Sequence, residues 1–69
     1  MTPRDPRLTD RQEQVLDLIS AEPHLSNAQV GMRLGMGEGT VRAHLREAFL
    51  RLGAHSRLEA VTVWRRVTA

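Results

Sequence analysis

The sequence predicts an all-α domain of four short helices, over about residues 10–20, 27–34, 38–52 and 57–67. Three segments carry the pattern Ser/Thr-x-x-Gln/Glu, in which the first side chain caps a helix and the fourth reaches back to the cap. Apolar residues recur at the three- and four-residue spacing of a helix, and no segment alternates as a strand does. Glycines also stand where two of the helices should end, as they commonly do at helix C-termini. These observations favour short helices joined by short loops.

The first helix is predicted to begin after Thr9, with Gln12 as the partner in its capping box. Its apolar face consists of Val15, Leu16 and Ile19, with Leu18 beside it. The segment Glu22-Pro23-His24 should end the helix, because proline cannot continue it.

The second helix has Ser26 as its cap and Gln29 as the returning partner. Gly31 lies in its middle and costs about 1 kcal/mol of helix propensity relative to alanine. A glycine at that place makes sense if another helix crosses close by, so we expect such a crossing. Gly35 should end the helix in the left-handed conformation.

The third helix has Gly37 as its predicted N-cap, and its predicted inward face consists of Val41, Leu45, Ala48 and Leu52. The opposite face carries Arg42 and Arg46, four residues apart with Ala43 between them. Two short helices joined by a glycine-containing turn, the second with an exposed arginine pair, are typical of a DNA-binding helix-turn-helix unit. A solvated charged face would show the same spacing, and the position after the turn favours DNA contact.

The fourth helix starts at the capping box Ser56 to Glu59. Its apolar side consists of Ala60, Val61, Trp64 and Val67. Trp64 has two interpretations, either at the edge of the core or as an anchor between two copies of the chain, where tryptophan is enriched. If Val63, Trp64 and Val67 were exposed together they would form an apolar patch, and such patches usually have partners.

Composition excludes several classes of protein. The 69 residues leave room for one domain, predicted over 8–69 after a flexible arm over 1–7. The absence of cysteine excludes disulfides and thiolate metal sites. We expect no cofactor, no small-molecule ligand and no enzymatic activity, because no catalytic constellation is present. There is no secretory signal and no apolar run of the roughly 20 residues that a membrane span needs, so a cytoplasmic protein is expected, associated with the nucleoid when bound.

Positive charge is concentrated in the segment that contains the predicted helix-turn-helix. Residues 1–22 hold five acidic side chains against three arginines, whereas residues 23–69 hold seven arginines against three glutamates. All basic side chains are arginines, whose planar donor groups fit guanine edges and phosphates. The codon composition of a GC-rich genome would produce the same bias, so the distribution of the charge is the stronger signal.

Four segments resemble, in the same order, the motifs of the LuxR/GerE/FixJ-type helix-turn-helix domain of bacterial transcription regulators. They are LTDRQEQVL at 8–16, LSN at 25–27, EGTVRAHL at 38–45 and LGAHSRLEAV at 52–61. The chain departs from that pattern at Gly31, where the family usually has alanine, at Gly37, where it usually has a serine cap, and at Trp64, where it usually has a small residue.

The resemblance implies sequence-specific binding of double-stranded DNA, with the third helix in the major groove. It also implies a homodimer through the fourth helix, for which the candidate interface residues are Val63, Trp64 and Val67. The positions that match the base-facing residues of the family are Arg42, Ala43 and Arg46. Those that match its phosphate-contacting residues are Asn27, Gly39, Thr40 and Arg57.

Proteins with either of two other functions would show the same sequence pattern. A sigma-factor region-4-like module would act through RNA polymerase without independent affinity for an operator. A protein-interaction module would retain the fold after DNA binding had been lost. Affinity for DNA that falls with salt concentration separates the leading interpretation from both.

Overall fold

The computed structural model describes residues 8–68, which form four α-helices and no strand. The helices are α1 (Asp10–Ala21), α2 (Asn27–Leu34), α3 (Glu38–Leu52) and α4 (Arg57–Thr68). The prediction of an all-α helix-turn-helix domain is therefore confirmed, with α1 and α4 each one residue longer than expected. The arm predicted over residues 1–7 lies outside the described residues.

Two of the predicted capping boxes are complete. Thr9 accepts the amide of Gln12 at 3.1 Å, and the Gln12 side chain accepts the amide of Thr9 at 3.1 Å. Ser26 and Gln29 exchange the same pair of bonds at 3.2 and 2.8 Å. Each box satisfies two backbone donors that a helix start would otherwise leave without partners, so the positions of α1 and α2 are fixed locally by sequence.

The third predicted capping box is half formed. Ser56 accepts the amide of Glu59 at 3.1 Å. The Glu59 carboxylate does not return to the cap and lies instead 3.3 Å from Nδ1 of His55. The start of α4 is therefore capped by one side chain only, because a neighbouring histidine competes for the carboxylate.

The core lies between the inward faces of all four helices. Its fully buried large side chains are Val15, Leu16, Ile19, Val30, Val41 and Trp64. The predicted inward face of α1 is confirmed, because Val15, Leu16 and Ile19 are completely buried. That of α3 is confirmed as well, because Leu45 is 5% exposed and Ala48 is completely buried. None of the helices over residues 8–68 is long and apolar enough to cross a membrane.

Trp64 belongs to this core and joins α4 to α1. Its side chain is 1% exposed, and the indole Nε1 donates a hydrogen bond of 2.8 Å to Oδ1 of Asp17. Of the two interpretations of Trp64, the structure has the one in which the core covers it. The indole therefore has almost no surface to offer a second copy of the chain, unlike Val63 and Val67, which are half-buried. The expectation of an exposed Trp64 anchor is corrected accordingly.

Two further contacts fix the link between α1 and α2. The Arg65 guanidinium donates to the carbonyl of Ser20, which ties the end of α4 to the end of α1. Arg33 of α2 donates to both carboxylate oxygens of Glu22, at 2.7 and 3.3 Å. The loop is thus held from both sides.

The Glu22–Arg33 pair predicts a pH-dependent stability. The hydrogen bonds from Arg33 lower the pKa of the Glu22 carboxyl below its ordinary value. Because the folded pKa is the lower one, the contribution to stability is complete above the unfolded pKa and is lost as the pH falls through the folded pKa. We expect Glu22→Gln to lower Tm slightly near neutral pH, as for an exposed pair, and not at all in strong acid.

Thermal melts of both chains over a pH series measure this effect. Glu47→Gln is the control, since Glu47 is also exposed and no hydrogen bond from Arg33 reaches it. A Tm difference for Glu22→Gln that stays constant from neutral pH to strong acid would show that the ion pair is not its source.

Candidate nucleic-acid interface

In the α2–turn–α3 unit, the backbone of the turn lies unusually close to Gly31 of α2. The amide of Met36 donates to the carbonyl of Gly31 at 2.9 Å, and Gly35 ends α2 with φ of 69°, in the left-handed region. A Cβ added at Gly31 would lie 2.3 Å from the carbonyl oxygen of Met36. The expectation that another helix crosses close to Gly31 is wrong, because the close approach comes from the backbone of the turn at Met36 and Gly37. An alanine at this position would require the backbone of the turn to move.

Helix α3 is fixed to the core by one face and leaves the other face free. Val41 is completely buried, whereas Arg42, Ala43 and Arg46 are all exposed. Gly37 is the N-cap of the helix and provides no side-chain hydrogen bond to it. The structure therefore places the three predicted base-facing side chains together on one exposed surface, which a rigid helix presents outward.

Arg42 has a partner that the sequence interpretation did not use. Its Nη2 lies 3.3 Å from Oε1 of Glu38, one helical turn earlier. The two side chains are 69% and 54% exposed, and ion pairs so exposed are worth about 0–1 kcal/mol. The pair is weak enough for Arg42 to exchange Glu38 for another acceptor. The i, i+4 spacing of the two residues in the sequence could have predicted this ion pair.

Residues from three helices meet around a shallow cleft of about 530 Å³. Four of the seven predicted DNA-contacting residues line it, which are Asn27, Arg42, Arg46 and Arg57. Leu45 and Phe49 supply its apolar floor, and Glu38 is its one acidic residue. The fold thus brings the starts of α2 and α4 beside the exposed face of α3, although these segments are far apart in the chain.

The other three predicted residues lie at the start and on the outer side of α3. Gly39 and Ala43 line a second cleft, of about 460 Å³, together with Arg42 and Arg46. Thr40 is exposed in the first turn and lines neither of these two clefts. The first amides of a helix lack partners within it and favour an anion, so this end of α3 suits a phosphate.

Arg57 is the least satisfied side chain of the cleft. Its Nε and Nη2 atoms are buried, and neither has a hydrogen-bond partner among the described residues. A buried donor without an acceptor costs about 1–3 kcal/mol, and more for a charged group. An anionic oxygen that reached these donors would satisfy them, because charge-assisted hydrogen bonds to guanidinium groups are among the strong ones.

No metal site competes with this interpretation over the part of the chain that the structure describes. Among residues 8–68, no three His, Asp or Glu side chains are grouped closely enough to hold a metal ion. His44 is half-buried at the side of α3, between its apolar and polar faces, as its position in the helix predicts. The exposed chemistry of the surface is therefore dominated by arginine side chains and the start of α3.

Among known proteins, a bacterial transcription activator is similar to part of this chain. Over 44 residues the chain is 41% identical to the HTH-type transcriptional activator RamA of Corynebacterium glutamicum. That alignment covers 64% of the chain and 16% of RamA, so the chain spans only a small part of its relative's length. No solved structure shows significant similarity to the chain.

The family comparison covers more of the sequence. Residues 6–64 match the GerE domain, described as that of bacterial regulatory proteins of the luxR family. The matched range contains α1, α2 and α3 completely, together with α4 as far as Trp64. The chain therefore belongs to the luxR family of bacterial regulatory proteins.

Proposed function

We propose that this domain regulates transcription by binding double-stranded DNA sequence-specifically, with α3 in the major groove. The observation that carries the proposal is the division of α3 into a buried face and an exposed face with Arg42, Ala43 and Arg46. The major groove admits one α-helix and presents a distinct pattern of donors and acceptors for each base pair. Family membership and the relative that activates transcription support the same function.

The two arginines are the proposed base readers. A guanidinium group donates two parallel hydrogen bonds to O6 and N7 of guanine, the commonest specific contact between protein and DNA. Arg42 must leave the weak pair with Glu38 to do so, at a cost that the exposure of the pair keeps small. Ala43 lies between them and is small enough for close approach or for contact with a thymine methyl group.

The phosphate contacts are assigned to residues around the base readers. Asn27 and Arg57 lie at the starts of α2 and α4, and Gly39 and Thr40 at the start of α3. Helix starts suit phosphates, because their free amides point outward and the helix dipole favours negative charge. Arg57 adds a charged group whose donors lack acceptors in the DNA-free chain.

Arg57→Ala should weaken binding about equally on all DNA sequences. A phosphate contact carries no base information, so the preference for the best site over others should remain. The slope of log affinity against log salt concentration should become shallower by about 0.9, the value for one neutralised phosphate on B-DNA. Fluorescence-anisotropy titrations of a specific and a scrambled duplex over a salt series measure both quantities.

Arg66→Ala is the matched control, since Arg66 is exposed near the end of α4 and lines none of the clefts described above. It should leave the salt slope unchanged. An Arg57→Ala chain with the wild-type slope would remove Arg57 from the phosphate contacts, and a loss confined to the specific duplex would make it a base contact instead.

Two copies of the chain are proposed to act together through α4. Val63 and Val67 are half-buried, and Leu58, 77% exposed on the same helix, adds apolar surface that the core leaves uncovered. A dimer of this kind should select a two-fold symmetric DNA site, with half-sites spaced by the helical repeat of DNA. RNA polymerase is a further possible partner, which a transcription activator would need to contact.

The salt series on the wild-type chain also tests the function itself. The proposal predicts that affinity for DNA falls linearly on a log–log plot with increasing salt. No measurable affinity, or affinity independent of salt, would contradict DNA binding and favour a protein-interaction module. Binding to RNA polymerase without affinity for free duplex would favour a sigma-region-4-like role.

A further inference from the structure

We propose that Leu50 is a fourth base-facing residue of α3, which contacts the C5-methyl group of a thymine in the major groove. The proposal rests on the proposed DNA-binding function and extends it to a residue outside the matched motif segments. Leu50 is 71% exposed although its side chain is large and apolar. Single exposed leucines are common on protein surfaces, so the exposure alone decides nothing.

The position of Leu50 distinguishes it from the other exposed apolar side chains. It lines the cleft of about 460 Å³ on the outer side of α3, which Met32 and Leu58 do not reach. The complete lining of that cleft is Gly39, Arg42, Ala43, Arg46, Glu47 and Leu50. All six residues belong to α3. A molecule that docks against this face of the helix therefore contacts Leu50 as well as Arg42 and Arg46.

Helical geometry aligns Leu50 with the proposed base readers. Ala43, Arg46 and Leu50 are separated by three and four residues, the spacings that share one helix face. Leu50 lies one turn beyond Arg46, about 6 Å along the helix axis at 1.5 Å per residue. A helix that lies along the groove with Arg46 at the base edges can therefore carry Leu50 over bases beside those that Arg46 contacts.

The chemistry of the lining favours base edges over the phosphate chain. The cleft combines the two cationic arginines with the carboxylate of Glu47 and the apolar side chains Ala43 and Leu50. A row of phosphates is uniformly anionic, so it would repel Glu47 and gain nothing from Leu50. The edges of bases in the major groove present acceptors, donors and the thymine methyl, which matches this mixed set.

The test removes the methyl group from the DNA and the apolar side chain from the protein. A duplex recovered by binding-site selection is remade with deoxyuridine in place of each thymidine in turn, which deletes only the C5-methyl group. We expect the wild-type chain to bind about four-fold more weakly when one particular thymine is changed, the ratio that corresponds to one buried methyl group. The Leu50→Ala chain should bind the thymine and uracil duplexes equally at that position.

Met32→Ala is the matched control, because Met32 is 83% exposed on α2 and does not line the cleft. It should keep the four-fold preference, and any methyl preference due to Ala43 should persist in the Leu50→Ala chain at its own position. A Leu50→Ala chain with the wild-type thymine preference at every position, or a wild-type chain without any such preference, would overturn the assignment. In either case salt-dependent binding of the selected duplex would leave the proposed function standing, whereas its absence would remove both.

Discussion

Replacing Trp64 by alanine is expected to remove most of the stability of the domain. The indole is 1% exposed and connects α4 to α1 through the hydrogen bond to Asp17. Truncation of a buried tryptophan to alanine costs about 3–5 kcal/mol, because apolar contacts are lost and a cavity remains. Domains are stable by only about 5–15 kcal/mol, and small ones lie near the lower limit.

Urea denaturation followed by circular dichroism measures the loss. Trp64→Phe retains much of the apolar volume and removes the donor to Asp17, so it should lie between wild type and Trp64→Ala. Arg66→Ala is the control on the same helix, and because Arg66 is exposed it should have nearly the wild-type midpoint. A Trp64→Ala chain with an unchanged midpoint would contradict the placement of Trp64 in the core.

Replacing Arg46 or Arg42 by alanine is expected to reduce both affinity and specificity for DNA without destabilising the fold. Each bidentate contact with guanine discriminates against the wrong base by about 1–3 kcal/mol, roughly 5- to 150-fold in relative affinity. Both side chains are exposed, so thermal stability should change little. The loss should be greater for Arg46, because Arg42 must first give up Glu38, which offsets part of its gain.

Binding-site selection with the wild-type and variant chains reports the preference at every position of the site. Each variant should lose its preference at one position of a half-site and keep the others. Arg66→Ala, which removes an equal charge from α4, should leave the selected site unchanged. Equal losses on all sequences would mean that the two arginines contact phosphates only, and no loss would exclude α3 as the recognition helix.

Local signals explain why so much of the fold follows from the sequence. The capping boxes at Thr9 and Ser26 and the glycine stop at Gly35 act within a few residues, and each forms as predicted. The apolar spacing of α1 and α3 also determines which faces are buried, since a regular helix fixes the direction of each side chain. The Ser56 box formed only in part because its partner Glu59 had a competing contact with His55.

The features that the sequence did not reveal depend on contacts between distant segments. Helical spacing placed Trp64 on the apolar side of α4, but not what covers that side, and its partner Asp17 is 47 residues away. The two unsatisfied donors of Arg57 depend on how the folded chain buries its guanidinium group, which the sequence does not show. Glu38 as the partner of Arg42 is different, since a simple count of i, i+4 charge pairs would have found it.

The central claim is that α3 occupies the major groove, and methylation protection by dimethyl sulfate tests it most directly. The reagent methylates N7 of guanine, which lies in the major groove, and N3 of adenine, which lies in the minor groove. On a selected duplex, bound wild-type chain should protect one or more guanine N7 atoms and leave adenine N3 reactive, and Arg46→Ala should lose protection at one guanine. Guanines as reactive as in free DNA, or protection confined to adenine N3, would contradict the placement of α3 in the major groove.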